Sequence, residues 1–220
     1  MTLDFLTPSP DVLAHSPMER CARAAGARFE ARDGWLVAVS YDRPPAATGW
    51  ADMSHLAKLE AHGPPEAALG LDGRDGEPAG PGHAERAHDA WWCPVSRRRT
   101  LVLAERAAAR ELHERLGGRA VDVTTGYAAL AIVGPGAREV LARQCALDLR
   151  PVVTPVGAFR PGAVARTPAF VLREAEERYL VVFGAALGEY MWTVLADAAE
   201  HLGGAPIGAD ALARETPAHA

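Results

Sequence analysis

Asp89 stands beside two tryptophans in the stretch His-Asp-Ala-Trp-Trp, residues 88–92. A carboxylate pressed against aromatic surface is desolvated, which raises its pKa and suits it to relay a proton or anchor a cation. Asp89 is the candidate catalytic residue, and a plain surface aspartate is the commoner reading of the same position. Trp35, Trp50, Trp91, Trp92 and Tyr127 supply rings that could stack on a flat ligand or fill a core. Adjacent residues on a strand point to opposite faces, so only one of Trp91 and Trp92 can enter a given cleft. Arg166, Arg173 and Arg214 lie in the C-terminal half and could each grip a carboxylate through paired hydrogen bonds.

Other chemistry-bearing residues point to plainer roles. Asp52 precedes Ser54, and Asp122 precedes Thr124, each by two positions. An aspartate in that spacing caps a turn through its side-chain oxygen, and its recurrence favours a fold role over catalysis. His83 and His88 stand with Glu85 and Asp89, a local cluster that does not guarantee enough ligands for a metal, so a solvated loop is the expectation there. Phosphate-loop, dinucleotide-binding, serine-hydrolase and zinc-protease motifs are absent. Cys21, Cys93 and Cys145 sit far apart with no Cys-x-x-Cys, so no disulfide framework or zinc site is implied, and a reducing cytoplasm with three small core hydrophobes is the expectation. The net charge of −5 gives no reason to expect nucleic acid, and Arg97-Arg98-Arg99 reads as a solvated turn. No stretch nears the ~18 apolar residues of a membrane span, and the N-terminus lacks the basic start of a signal peptide. The single lysine, in a chain rich in Ala, Arg, Gly and Pro, is a compositional bias to which no chemistry is attached.

These residues hang on a pattern that is written twice. "WADMSHLAKLEAHGPPEAALGL" from Trp50 and "VDVTTGYAALAIVGPGAREVLARQC" from Val121 share one order: Asp, a hydroxyl residue, a strand-like run, Gly-Pro, and a helix start. The second run carries one extra residue. Pro64 and Pro135 suit the first turn of a helix, where a missing N–H costs nothing. Each copy continues into a β-hairpin, "AWWCPVSRRRTLVLAE" or "AFVLREAEERYLVVFG". A helix follows, stopped by Gly-Gly, and then a short strand. Each copy thus reads strand–helix–strand–strand–helix–strand, the ferredoxin-like plan. The expected fold is α+β, with two such units. The expected divisions are a loose arm over 1–17, a first unit over 18–120 and a second over 121–220. Ahead of the repeat, a helix is expected from Met18 and a strand over Gly34–Tyr41. Two long loops, residues 72–89 and "LRPVVTPVGAFRPGAVART", could rim a cleft between the units.

The sequence resembles the glycine-cleavage T-protein (aminomethyltransferase) family. The resemblance rests on "SPMERCARAAGARFEARDGWLVAVSY", "WADMSHLAKLEAHGP", "YAALAIVGPGAREVL" and "PIGADALARE", and covers most of residues 16–215. The short form, without that family's C-terminal barrel, is similar to the gamma subunit of heterotetrameric sarcosine oxidase, as is "ALGEYMWTVLADAAEHLGG". The resemblance implies a folate-binding fold, tetrahydrofolate in a central channel, and one-carbon chemistry on aminomethyl groups. It implies a larger flavoprotein oxidase subunit as partner. Asp89 matches the second residue of the family's Asp-Asp pair, His88 standing in for the first. Asp89 would then orient the reacting amine, with Trp91 and Tyr127 stacking on the pterin. The family's Thr-Gly-Tyr-Thr-Gly-Glu loop is replaced by the shorter "REAEER", which leaves Glu176 or Glu177 nearest the pterin-reading position. Arg173 and Arg214 complete the folate-binding candidates. The eroded pterin loop favours a largely non-catalytic subunit. The alternatives are a minimal tetrahydrofolate-dependent aminomethyltransferase and a folate carrier.

Overall fold

The computed structural model describes residues 12–42, 46–63 and 80–215, with side chains as far as 212. Residues 1–11 of the expected arm over 1–17, the expected helix after Pro64 and residues 72–79 of the expected loop over 72–89 lie outside the described residues.

A short strand β1 (Ala14–His15) and helix α1 (Glu19–Ala24) lead into the hairpin β2 (Ala27–Arg32) and β3 (Trp35–Tyr41). The repeat begins with β4 (Gly49–Asp52) and β5 (Ala57–His62). Then come β6 (Glu85–Ala87), β7 (Ala90–Ser96), β8 (Arg99–Ala104) and helix α2 (Arg106–Leu116). The second copy runs β9 (Ala120–Asp122), β10 (Tyr127–Val133), α3 (Ala137–Ala142), β11 (Phe159–Val164), β12 (Thr167–Ala175), β13 (Arg178–Gly184), α4 (Gly188–Glu200), β14 (Ala205–Pro206) and α5 (Ala209–Glu215).

Three sheets result. The order is β6-β7-β8-β5-β9 in one, β11-β12-β13-β10-β4-β14 in the second and β1-β3-β2 in a small third. The two large sheets lie face to face. Strand β10 shows why, since its alternate residues are buried on both sides. Leu130 and Ile132 face an outer cluster with helix residues Leu141, Met191 and Leu195. Ala129, Ala131 and Val133 face an inner cluster with Cys93, Leu101 and Leu103 of the opposite sheet. Helix α2 covers the outer face of the five-stranded sheet through Leu112 and Leu116, against Trp92 and Val102. The layers are therefore helix, sheet, sheet, helix.

The two strands that end in the aspartate turns, β4 and β9, join different sheets. Strand β4 pairs with β10, Asp52 opposite Leu130. Strand β9 pairs with β5, Asp122 opposite Leu59. Strand β4, ahead of the first copy's strand run, thus lies in the second copy's sheet, whereas β9, which closes the first copy and opens the second, stays beside β5, and the expected boundary after residue 120 falls inside β9. The two segments expected to be long loops carry β6 and β11. Strand β11 read as a loop because Pro161 and Gly162 sit in it; it is an edge strand, where a residue without a backbone N–H is tolerated.

Candidate functional site

The paired Asp-x-Ser/Thr turns form the joint between the two large sheets. The Ser54 N–H donates to Asp52 Oδ1 at 2.9 Å, and the Thr124 N–H donates to Asp122 Oδ1 at 2.9 Å. Each turn then grips the other copy. Met53 N–H donates to the Ala129 carbonyl at 2.9 Å, and Ala129 N–H donates to Ser54 Oγ at 3.3 Å. Val123 N–H donates to the Lys58 carbonyl at 2.9 Å, and Lys58 N–H donates to Thr124 Oγ1 at 3.0 Å. The fold role expected for these aspartates is what the geometry displays.

A cavity of about 200 Å³ opens beside this joint. The β2–β3 turn contributes Arg32 and Asp33, the β4–β5 turn Met53 and His55, and the start of α2 Glu105 and Arg106. Arg178 of β13 and Ala209 and Leu212 of α5 close it. The guanidinium groups are largely committed. Arg32 bonds Asp210 at 2.7 Å and Glu30 at 2.9 Å. Arg178 bonds Glu174 at 2.8 Å, and Arg106 approaches Asp122 at 4.0 Å. Burial, with Lys58 and Arg32 adding repulsion, lowers His55 to about 4, so its imidazole is neutral. Desolvation against the cavity, then Asp33, raises Glu105 above the usual carboxylate range.

Lys58 lies behind that wall. Its side chain is 0% exposed, and Nζ donates to the Ser54 carbonyl at 2.7 Å. Burial pulls its pKa down to about 7, against the opposing pull of Asp52 and Asp122. Burial likewise holds Asp52 above the usual carboxylate range, with hydrogen bonds from Ser16 and Ser54 opposing. Sequence reasoning passed over Lys58; the one signal was a lone lysine inside the otherwise apolar run His-Leu-Ala-Lys-Leu.

The residues singled out from sequence do not gather in this cavity. Asp89 is exposed in the two-residue turn joining β6 to β7, where His88 has φ 53° and Asp89 φ 55°. Two consecutive left-handed residues make the tight turn whose twist matches a β-hairpin. Trp91 packs toward the inner cluster beneath the Arg86 guanidinium, 5.5 Å from its ring centre. Trp92, on the opposite face, is in the cluster under α2, as strand alternation requires. Tyr127 begins β10, half-buried against the inner cluster. Arg166 is exposed in the β11–β12 turn, with φ 61°. The side chain of Arg214 lies outside the described residues. Only Arg173, Glu176 and Glu177 come together, in a second recess of about 320 Å³ shared with Gly134, Pro135, Arg138 and Pro151. Arg173 is spent there on backbone carbonyls. It donates to Thr154 at 2.8 Å, Glu176 at 2.9 Å and Ala175 at 3.4 Å. Among the described residues no group of three or more His, Cys, Asp or Glu is placed to hold a metal ion. No helix among them is long and apolar enough to cross a membrane.

The two facing α+β units have the fold of the glycine-cleavage aminomethyltransferases. The chain matches the glycine cleavage system aminomethyltransferase T from Bartonella henselae with a TM-score of 0.70 at 19% identity. That match covers 91% of this chain and 61% of the aminomethyltransferase. It also matches a chain of the heterotetrameric sarcosine oxidase from Corynebacterium sp. U-96, solved in complex with pyrrole 2-carboxylate. There the TM-score is 0.64 at 22% identity, over 83% of this chain and 93% of that one. No curated protein sequence matches. The sarcosine oxidase, gamma subunit family matches residues 84–201, more than half the chain, and the protein belongs to that family.

Proposed function

We propose that the chain is a largely non-catalytic subunit of a sarcosine oxidase-type assembly, packed against a larger flavoprotein subunit. The observation that carries this reading is the cavity beside the strand joint. At about 200 Å³ it falls below the ~300–1,000 Å³ of ordinary ligand sites. Neither its lining nor that of the second recess, at about 320 Å³, includes a Trp, Tyr or Phe ring to stack on a pterin. The small cavity and the lack of a Trp, Tyr or Phe ring in either lining support the subunit reading over a folate site.

The competing reading is a minimal tetrahydrofolate-dependent aminomethyltransferase or folate carrier. Asp89 would orient the amine, Trp91 and Tyr127 would stack on the pterin, and Arg173, Glu176, Glu177 and Arg214 would hold the remainder. Calorimetric titration of the pure chain with tetrahydrofolate separates the two. The expected result is no binding heat, together with co-elution with a flavin-bearing subunit when the oxidase subunits of the same source are co-expressed. Saturable one-to-one folate binding by a chain that elutes alone would overturn the subunit reading and make Asp89→Asn the next variant.

A further inference from the structure

The strand joint contains an internal comparison. Lys58 and Ala129 occupy equivalent places in the two copies: each donates its N–H to the hydroxyl of one turn and accepts from the N–H before that hydroxyl residue. At Ala129 a methyl group is enough. The clamp therefore does not need a lysine, yet the other copy places the chain's only lysine there, fully buried. On β5, Ala57, Leu59 and Ala61 face the cluster under α2. Alternation turns Lys58 the other way, into the space between the sheets.

The surroundings treat the two forms of the amine unequally. A neutral amine has two N–H groups and an ammonium has three. Among the described residues the one acceptor bonded to Nζ is the Ser54 carbonyl. Protonation thus adds a buried donor as well as a buried charge, and both are costly for a side chain removed from solvent. The charged groups around it are Asp52 from β4 and Asp122 from β9, which attract a proton, and Arg106 from α2, which repels one. His55 from the β4–β5 turn is neutral and adds no attraction. His55 and Arg106, both near enough to Lys58 to interact with its charge, also line the cavity.

We propose that Lys58 is a proton-operated release on the strand joint: taking up a proton loosens the joint between the β4–β5 and β9–β10 turns, and with it the cavity wall, and losing the proton closes both. The closed state binds the proton more weakly than the open or unfolded one does. Opening is therefore favoured as pH falls from the ordinary lysine value near ~10.4 toward the closed-state value, and levels off below it.

One lysine in the chain means that lysine labelled with ¹³C and ¹⁵N gives a single side-chain signal. The expected titration of that signal centres near 7. Over the same range, amide hydrogen exchange at Met53, Val123 and Ala129, corrected for intrinsic rate, should show an opening constant rising about tenfold per pH unit from ~9 to ~7. Lys58→Ala, which copies the other half of the joint, should abolish that slope and keep its closed-state protection at low pH; Lys58→Met serves if the alanine variant does not fold. A lysine signal titrating near ~10, or an unchanged slope in the variant, overturns the proposal.

Discussion

Arg173→Met removes a guanidinium that is 5% exposed and leaves a side chain of similar reach. Two of its hydrogen bonds are well formed, to the Thr154 and Glu176 carbonyls at 2.8 and 2.9 Å; the third, to Ala175, is long at 3.4 Å. A hydrogen bond from a charged donor contributes roughly 1.5–3 kcal/mol, so losing two sets a range of roughly 3–6 kcal/mol. Methionine keeps much of the packing over the Tyr179 ring, 5.6 Å from the Arg173 guanidinium. The Glu176 carbonyl lies on an exposed turn, where water replaces the lost donor. The Thr154 side is buried and is not rescued. The expected loss is about 3 kcal/mol in urea unfolding with an unchanged m-value. Arg173→Lys should fare little better, because one ammonium cannot span the carbonyls that the planar fork reaches. The loop over 150–157 should also become open to thermolysin at Val152, which is 84% exposed but held by its neighbours' bonds. A variant with wild-type stability that instead loses a carboxylate ligand would refute the assignment of Arg173 to the backbone.

Asp89→Gly tests the turn reading of the notable acid. Asp89 sits at φ 55°, a conformation that costs a residue with a Cβ but not glycine, so the variant should be neutral or more stable by up to ~1 kcal/mol in thermal unfolding; marked destabilisation would assign the carboxylate a structural bond. His55 sets a separate acid slope. Its folded-state pKa, about 4, lies below the ordinary ~6.5, so only the unfolded chain takes up a proton between those values. Stability should fall by at most ~3 kcal/mol as pH drops from ~6.5 to about 4, and His55→Gln should flatten that decline in denaturant midpoints measured across the range.

Local rules explain why parts of the architecture were readable. Strands β5 and β10, both hairpins, the helices that end at Gly117 and Gly203, and the two aspartate turns follow from periodicity and turn chemistry within a few residues. The separation of β4 and β9 into different sheets is a choice between partners of almost identical local pattern, and nothing in Gly-Trp-Ala-Asp states which copy it will join. Strand β11 hid behind Pro161 and Gly162, because edge position, which tolerates them, is a property of the sheet. The cavity is assembled from five separate segments, so no spacing announces it. Arg173 looked like a ligand group because a guanidinium's target cannot be read from its type; here the target is the chain's own carbonyl groups. Lys58 is the sharpest case. Composition made it look incidental, and its weight comes from burial and from the alanine that occupies the matching place.

The pairings of β4 and β9 also set a timetable for synthesis. Asp52 must wait for Leu130, and Leu59 for Asp122, so neither large sheet can close while only the first half of the chain has left the ribosome. Until then β4 is an unpaired edge carrying Trp50, the kind of surface that recruits a wrong partner. Such long-range pairings place the protein among slow folders and make its nascent chain a natural client for a chaperone that shields that edge until β10 emerges.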